Sequence, residues 1–428
     1  MSPVRTIPAR GVRISQCRSC ASSALEPVLD LGTTPLADRL PTVDDLAEPE
    51  PVAPLEVVRC NRCSLLQLTY TVDPEELFCR NYPYFSSVSP QLMAHFEASA
   101  LEIIRERRLG PGSRVIELAS NDGYMLRHFA SAGIPVLGID PASGPAQAAI
   151  ASGIPTLEAF FTLGLAEELV ERGDRADVVL ANNVLAHVAD LDGFVRGIET
   201  LLAPDGVAVI EAPYLVDLVN HCEFDTIYHQ HLCYFSVTAL NALFRPRGLY
   251  LERIVRTSIH GGSLRLFLGK KDRPDASVGA LLEEESKAGI GSSGYYHGFA
   301  GRVRRLREEL LTYLAELRRS GKRLAGYGAA AKACTLLSYC GIDTETLEYV
   351  VDASPRKHGR FMPGNRLPIV PPSMLHDRPP DVLVILAWNF ADEIMRQQQA
   401  FAARGGRFLV PVPRVRIVAR EERRAEAP

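Results

Sequence analysis

Four cysteines in the first 63 residues fall in two pairs, Cys17 with Cys20 and Cys60 with Cys63, each pair separated by two residues. Two such knuckles offer four thiolates, the soft tetrahedral set that suits Zn²⁺. A four-thiolate shell leaves no open position, so the metal role it predicts is structural. The gap between the knuckles, about 39 residues, is longer than the usual spacing and predicts that the intervening chain folds on its own. Four buried thiols or a redox pair are the alternative reading of the same residues.

A second constellation lies in VIELASNDG, residues 115–123. An apolar run leads into small residues and Gly123, where backbone can come close to a ligand at the start of a helix. Glu117 and Asp122 make this loop unsuitable for a phosphate and suitable for a cationic sulfonium with its amino-acid tail. Asp140 closes the next apolar run, VLGID, where a carboxylate can accept hydrogen bonds from ribose hydroxyls. The following run ends in Asn182, Asn183 and His187. This order predicts an S-adenosylmethionine (SAM) site; a dinucleotide-type fold with another nucleotide is the alternative.

Two further stretches carry chemistry. Residues 228–236, YHQHLCYFS, bring Tyr228, His229, Gln230, His231 and Tyr234 together. Imidazoles serve as bases near neutral pH and phenols hold an oxyanion; the plainer role is to plug a domain interface. In GYGAAAK, residues 326–332, exposed backbone N–H groups around Gly328 and the cation of Lys332 predict an anion site, and Asp352 ends the next strand where a ribose would lie. A glycine loop that only packs a helix is the alternative.

The elements that position these residues follow from periodicity. Runs at 114–118, 135–140, 176–187 (a strand running into a loop) and 206–213 read as strands alternating with helices, a doubly wound parallel α/β sheet. Three- and four-residue apolar steps make 73–108 helical, and 270–320 reads as a solvated amphipathic connector. The strand and helix rhythm then restarts at RLAGYG and continues through LEYVVD, DVLVILAW and RFLVPVP. The plan is therefore a zinc-binding domain at 14–72, a doubly wound α/β domain at 73–270 whose arrangement of motifs resembles a class I SAM methyltransferase, a helical connector at 271–320 and a second Rossmann-like α/β domain at 321–418. Residues 1–13 and the tail REERRAEAP read as loose ends.

Composition limits the partners. In 428 residues, 46% hydrophobic and 23% charged with a net charge of −4, there is no global field to attract nucleic acid or an anionic membrane. No apolar run reaches the ~18 residues of a membrane span, and the basic start lacks the apolar core of a signal peptide. A small-molecule enzyme of the cytoplasm is the expectation.

Taken together, the motifs resemble the bacterial sugar C-methyltransferase family, which acts on nucleotide-activated 4-keto-deoxysugars. The resemblance is carried by the knuckles followed by NYPYFSS (81–87), by ELASNDG (117–123), by YHQHLCYFS with HGGSLR (260–265), and by GYGAAAK, VDASPRKHGR (351–360) and AWN (387–389). It implies zinc on Cys17, Cys20, Cys60 and Cys63. It implies SAM on Glu117, Ala119, Asn121, Asp122, Gly123, Asp140, Asn182, Asn183 and His187. It implies a nucleotide sugar near His260, Arg265, Gly328, Lys332, Asp352, Arg360 and Asn389. His231 is then the base, with Tyr228, Gln230, Tyr82 and Tyr84 beside it. One position departs from the family pattern: Gln230 stands where a glutamate is expected, and an amide cannot act as a carboxylate. Methylation of carbon or oxygen in a non-sugar metabolite, and a non-catalytic SAM-fold scaffold, are the competing readings.

Overall fold

The computed structural model describes residues 4–79 and 84–418. Its first sheet grows from the strand Glu50–Cys60, where every second residue turns inward and Ala53, Leu55 and Val57 are buried. That alternation is the signature of a half-buried antiparallel strand. Leu25–Pro35 pairs along one side of it and Leu66–Leu68 along the other, the latter after the tight turn that carries the second knuckle. The expected loose start is ordered from residue 4. Thr6–Pro8 lies parallel to Glu50–Cys60, and Gly11–Arg13 pairs with Tyr70–Val72. Their side chains are exposed, so backbone hydrogen bonds hold them and no apolar pattern announces them.

The central sheet has seven strands, in the order Tyr250–Thr257, Ser263–Gly269, Leu202–Pro213, Ala176–Asn182, Val115–Leu118, Val136–Ile139 and Thr156–Leu157. The five strands from Leu202–Pro213 outward are parallel, while Ser263–Gly269 runs antiparallel to both of its neighbours. This is the strand order of class I SAM-dependent methyltransferases. Its parallel strands are buried along almost their whole length, as a sheet covered on both faces requires. Helix Pro90–Arg107, capped by Ser89 accepting from the Leu92 amide, covers one face with Leu92, Phe96, Ala100 and Ile103. Leu191–Leu201, capped by Asp190, buries Leu191, Phe194, Val195, Ile198 and Leu201.

The connector is helical at Ala276–Ala288 and Phe299–Arg319. The second of these buries Phe299, Val303, Leu306, Leu310, Leu314 and Leu317 at three- and four-residue steps. It packs on Leu25–Pro35 and on helix Ala331–Cys340. The third sheet has the order Ile369–Val370, Val350–Val351, Leu324–Tyr327, Val382–Ile385, Arg407–Val410 and Arg416–Val418, parallel except for the last strand. That is the dinucleotide-binding order, and its topological switch point, where such sheets take ligands, lies between Leu324–Tyr327 and Val382–Ile385. Among the described residues no helix is long and apolar enough to cross a membrane.

Candidate active site

The Sγ atoms of Cys17, Cys20, Cys60 and Cys63 all lie within 4.8 Å of one another. Cys17 is 3.5 Å from Cys63 and Cys20 is 3.5 Å from Cys60. Four sulfurs at 2.3 Å from one tetrahedral ion are ~3.8 Å apart, so the set fits Zn²⁺. The cluster closes the turn at the end of Glu50–Cys60, and none of its four cysteines lines the reaction cavity described next.

That cavity, of about 530 Å³, opens where the three sheets meet. Its wall on the central sheet is made by the ends of three parallel strands. After Val115–Leu118 the chain turns through left-handed backbone at Ala119, Asn121 and Gly123. A side chain at Gly123, φ +73°, would press on Ile154 at 3.0 Å. Asp140 fastens this turn: one of its oxygens accepts the Asn121 amide at 2.8 Å and the other the Ala142 amide at 2.8 Å. Burial pushes Asp140 up to about 6. Glu117, fully buried at its strand end, accepts from Asn182 Nδ2 at 3.2 Å, while its Oε2 has no hydrogen bond of normal geometry. Burial raises it to about 8. Asn183 lines the cavity, with left-handed backbone and an Oδ1 that lacks a partner among the described residues. Buried acids and unsatisfied oxygens beside glycine-type backbone fit the ammonium, sulfonium and ribose of SAM.

Asn121 and Asp122 have a second task. Asn121 Oδ1 accepts the Ser86 amide at 2.9 Å, and Asp122 accepts both the amide and the hydroxyl of Ser87. Segment 84–88 is thereby held over the turn, with the Arg356 guanidinium 3.9 Å from the centre of the Phe85 ring. Tyr84 lines the cavity, and burial raises its phenol to about 12. Tyr82 lies outside the described residues.

The polar cluster is held from three sides. Trp388 Nε1 donates to Asp225 at 2.7 Å and Thr335 Oγ1 to the Ile227 carbonyl at 2.8 Å, both from the third sheet's domain. His229 Nε2 is 3.1 Å from the Ala53 carbonyl, and strand Cys233–Tyr234 pairs with Leu66–Leu68, both in the zinc-binding domain. His229 is thus a buried packing residue. His231 Nδ1 lies 2.8 Å from the Thr226 carbonyl. A carbonyl only accepts, so Nδ1 carries the proton and Nε2 presents its lone pair. That lone pair accepts the Tyr228 hydroxyl at 2.8 Å. Burial first, then the nearby His187, holds His231 well below the usual imidazole range. His187, pushed down to about 4 by burial, lies 5.0 Å from His231 between ring centres and stacks on Phe78.

On the third-sheet side, Lys332 Nζ donates to Asn389 at 2.9 Å and lies 4.1 Å from the centre of the Trp388 ring. Burial lowers its pKa against the opposing charges of Asp225 and Glu223. Lys332, Asn389, Lys357 and His260 line the cavity. Gly328, φ +98°, stands behind them at the switch point, where a Cβ would meet that of Ala387 at 2.6 Å. Asp352 accepts the Ala329 and Ser354 amides at 2.8 Å each, which shapes this loop.

Seven sequence-derived candidates are not among the residues lining the cavity: Glu117, Asp122 and Gly123 behind the SAM-side turn, Gly328 and Asp352 behind the third-sheet loop, and Arg265 and Arg360. Arg265 donates to Glu211 at 3.1 Å, its direct partner on the neighbouring strand, and neutralises that buried acid. Arg360 donates to the Leu40 carbonyl at 3.2 Å and ties the third sheet's domain to the zinc-binding domain. Sequence reasoning passed over Lys357, although it lies inside the quoted VDASPRKHGR motif, and Asp38, which no motif marked.

Comparison with known proteins agrees with this layout. Residues 17–78 match a zinc binding domain, 93–254 a methyltransferase domain and 258–413 a C-methyltransferase C-terminal domain. The chain is 36% identical over 413 residues to the C-methyltransferase NovU of Streptomyces niveus, covering 95% of this chain and 98% of the relative. A ubiquinone biosynthesis O-methyltransferase of Azorhizobium caulinodans is 32% identical over 120 residues, 28% of this chain and 46% of that protein. Among solved structures, magnesium protoporphyrin IX methyltransferase of Synechocystis shares 14% identity over 41% of this chain and 78% of its own, with a TM-score of 0.32. The strand order, the site and the near full-length match to NovU together make the chain a member of the C-methyltransferase family, a SAM-dependent methyltransferase with a zinc-binding domain.

Proposed function

We propose that the enzyme methylates the carbon next to the ketone of a nucleotide-activated 4-keto-deoxysugar, through an enolate. The observation that carries this reading is the single cavity in which the Tyr228 and His231 pair faces both the SAM-side strand ends and the Lys332 and Lys357 cations. SAM, when bound, supplies an electrophilic methyl group. A carbon acceptor still has to be made nucleophilic, and that falls to the chain.

The phenol and imidazole are arranged for it. The Tyr228 hydroxyl can turn from His231 Nε2 onto the acceptor's ketone oxygen, which bares the Nε2 lone pair. The carbon–hydrogen bond beside the ketone then breaks toward Nε2, and its electron pair moves onto the oxygen that Tyr228 holds. The Thr226 carbonyl, at 2.8 Å from Nδ1, steadies the imidazolium that results. Tyr84 supplies a further phenol at the cavity wall. Lys332 and Lys357 suit a diphosphate at the switch point of the third sheet, with Asp352 beside the ribose. Lys357 Nζ stands 3.7 Å from Asp352 Oδ2 and Lys332 faces Asp225 and Glu223, and a diphosphate would add to these partners. Four close, unbridged thiols favour a reducing compartment such as the cytoplasm.

The test is turnover with SAM and a panel of thymidine-, uridine- and guanosine-diphosphate 4-keto-6-deoxysugars. At least one should gain one methyl group, stable to acid and base. Turnover of none of them, alongside activity on an uncharged ketone, would overturn the sugar reading.

A further inference from the structure

Position 230 lacks the expected carboxylate, yet the cavity wall has one at that place. Asp38 enters it from the zinc-binding domain, on the turn that follows Leu25–Pro35. Its neighbours Leu36, Ala37 and Leu40 are buried in that domain's own packing. Only the acid faces the cavity. Gln230 Nε2 donates to Asp38 Oδ2 at 3.2 Å, and Gln230 Oε1 is buried without a partner among the described residues. Lys357, Asp352, Tyr84 and Tyr228 all lie within electrostatic reach of Asp38. Burial raises the Asp38 carboxyl, and Lys357 opposes the rise. A turn of the zinc-binding domain gains nothing for its own packing from a carboxylate held in a shared cavity, and such costs are met where a ligand is recognised.

We propose that Asp38 is an acceptor-binding residue: its carboxylate takes the hydrogen bond of a sugar hydroxyl near the reacting carbon, and Gln230 holds it in position. The zinc-binding domain contributes directly to the acceptor site and does more than brace it. This inference rests on the sugar reading above.

The experiment compares wild type, Asp38→Asn, Gln230→Glu and the double exchange. Each is assayed for zinc content, affinity for S-adenosylhomocysteine, and affinity without methyl donor for a thymidine-diphosphate 4-keto-6-deoxyhexose. Turnover is measured on that sugar and on its 2-deoxy and 3-deoxy counterparts. Asp38→Asn should keep its zinc and its S-adenosylhomocysteine affinity. It should lose about ten- to a hundredfold in affinity for the fully hydroxylated sugar, the worth of a charge-assisted hydrogen bond, and lose little toward one deoxy counterpart. Gln230→Glu, which sets two acids face to face, should weaken acceptor binding, and the double exchange should recover most of the loss. Asp38→Asn with unchanged acceptor affinity and an unchanged preference for the hydroxyl would overturn the proposal. If Asp38→Asn fails to fold, the double exchange decides: restored folding with the hydroxyl preference supports the proposal, and restored folding without it overturns it. A wild type that neither binds nor turns over any of the sugars defeats the sugar reading itself, a different result from failure of Asp38 alone.

Discussion

At the scale of single residues, the hydrogen-bond pattern of His231 decides what it can do. With Nδ1–H fixed on a carbonyl and the ring held neutral by burial, it is ready as a proton acceptor across the working pH range. His231→Asn should lower kcat by ~10²–10⁴, the usual worth of a general base, with S-adenosylhomocysteine affinity nearly unchanged. Wild-type turnover in that variant, measured by release of S-adenosylhomocysteine, would move the base elsewhere. The SAM-side acids make a second prediction. Glu117 and Asp140 are raised by burial to about 8 and about 6. Raised carboxylates favour folding while protonated, so this contribution is full below the unfolded pKa values of ~4 and is lost as pH rises through the folded ones. The ligand-free protein should lose thermal stability between about pH 5 and 8 at these groups. A cation bound beside them favours their ionised form, so SAM binding at pH 7 should release protons and tighten as pH rises to 8. Calorimetry in two buffers of different ionisation enthalpy reads this; proton uptake would contradict it. Cysteine knuckles, the glycine turn and the histidine cluster were legible because local spacing carries their chemistry. Asp38 and Arg265 were not, because the partner that defines each, Gln230 and Glu211, lies far away in sequence.

Among the elements, buried parallel strands such as Ala176–Asn182 showed in the sequence through apolar runs such as VVLA. The antiparallel pair Tyr250–Thr257 and Ser263–Gly269 did not, because charged residues interrupt one strand and burial on both faces hides the alternation of the other. The exposed strands Thr6–Pro8 and Gly11–Arg13 escaped for the opposite reason, having no apolar side to show. A third case has functional weight. Strand Cys233–Tyr234 belongs by sequence to the methyltransferase region and by pairing to the zinc-binding sheet. The metal cluster closes the turn between Glu50–Cys60 and Leu66–Leu68, so its integrity bears on the segment that holds Tyr228 and His231. Removing zinc with a chelator, or changing Cys60 to Ser, should raise hydrogen exchange at residues 53–68 and 229–236 and leave Val115–Leu118 protected, since structural zinc contributes folding free energy. Uniform protection after verified metal loss would show that the cluster does not support the site.

On the scale of the whole molecule, each of the three sheets supplies what the others lack. The zinc-binding sheet pins the polar cluster, the central sheet offers the strand ends suited to SAM, and the third sheet brings the lysines that suit a diphosphate. The sequence displayed this division as two cysteine knuckles followed by two strand-and-helix series, but the shared cavity arises only from packing, through contacts such as Trp388 to Asp225 and His229 to Ala53. The most direct test of the central claim is the structure of the product. Wild-type enzyme, SAM and a thymidine-diphosphate 4-keto-6-deoxyhexose should be allowed to react in deuterated water, and the sugar examined by nuclear magnetic resonance. The account predicts a new methyl group bonded to the carbon beside the ketone, with one equivalent of S-adenosylhomocysteine formed. Without SAM, the hydrogen at that carbon should exchange for deuterium, and His231→Asn should slow the exchange. A methyl ether, or methylation with no exchange of that hydrogen by the enzyme and no dependence on His231, would contradict it.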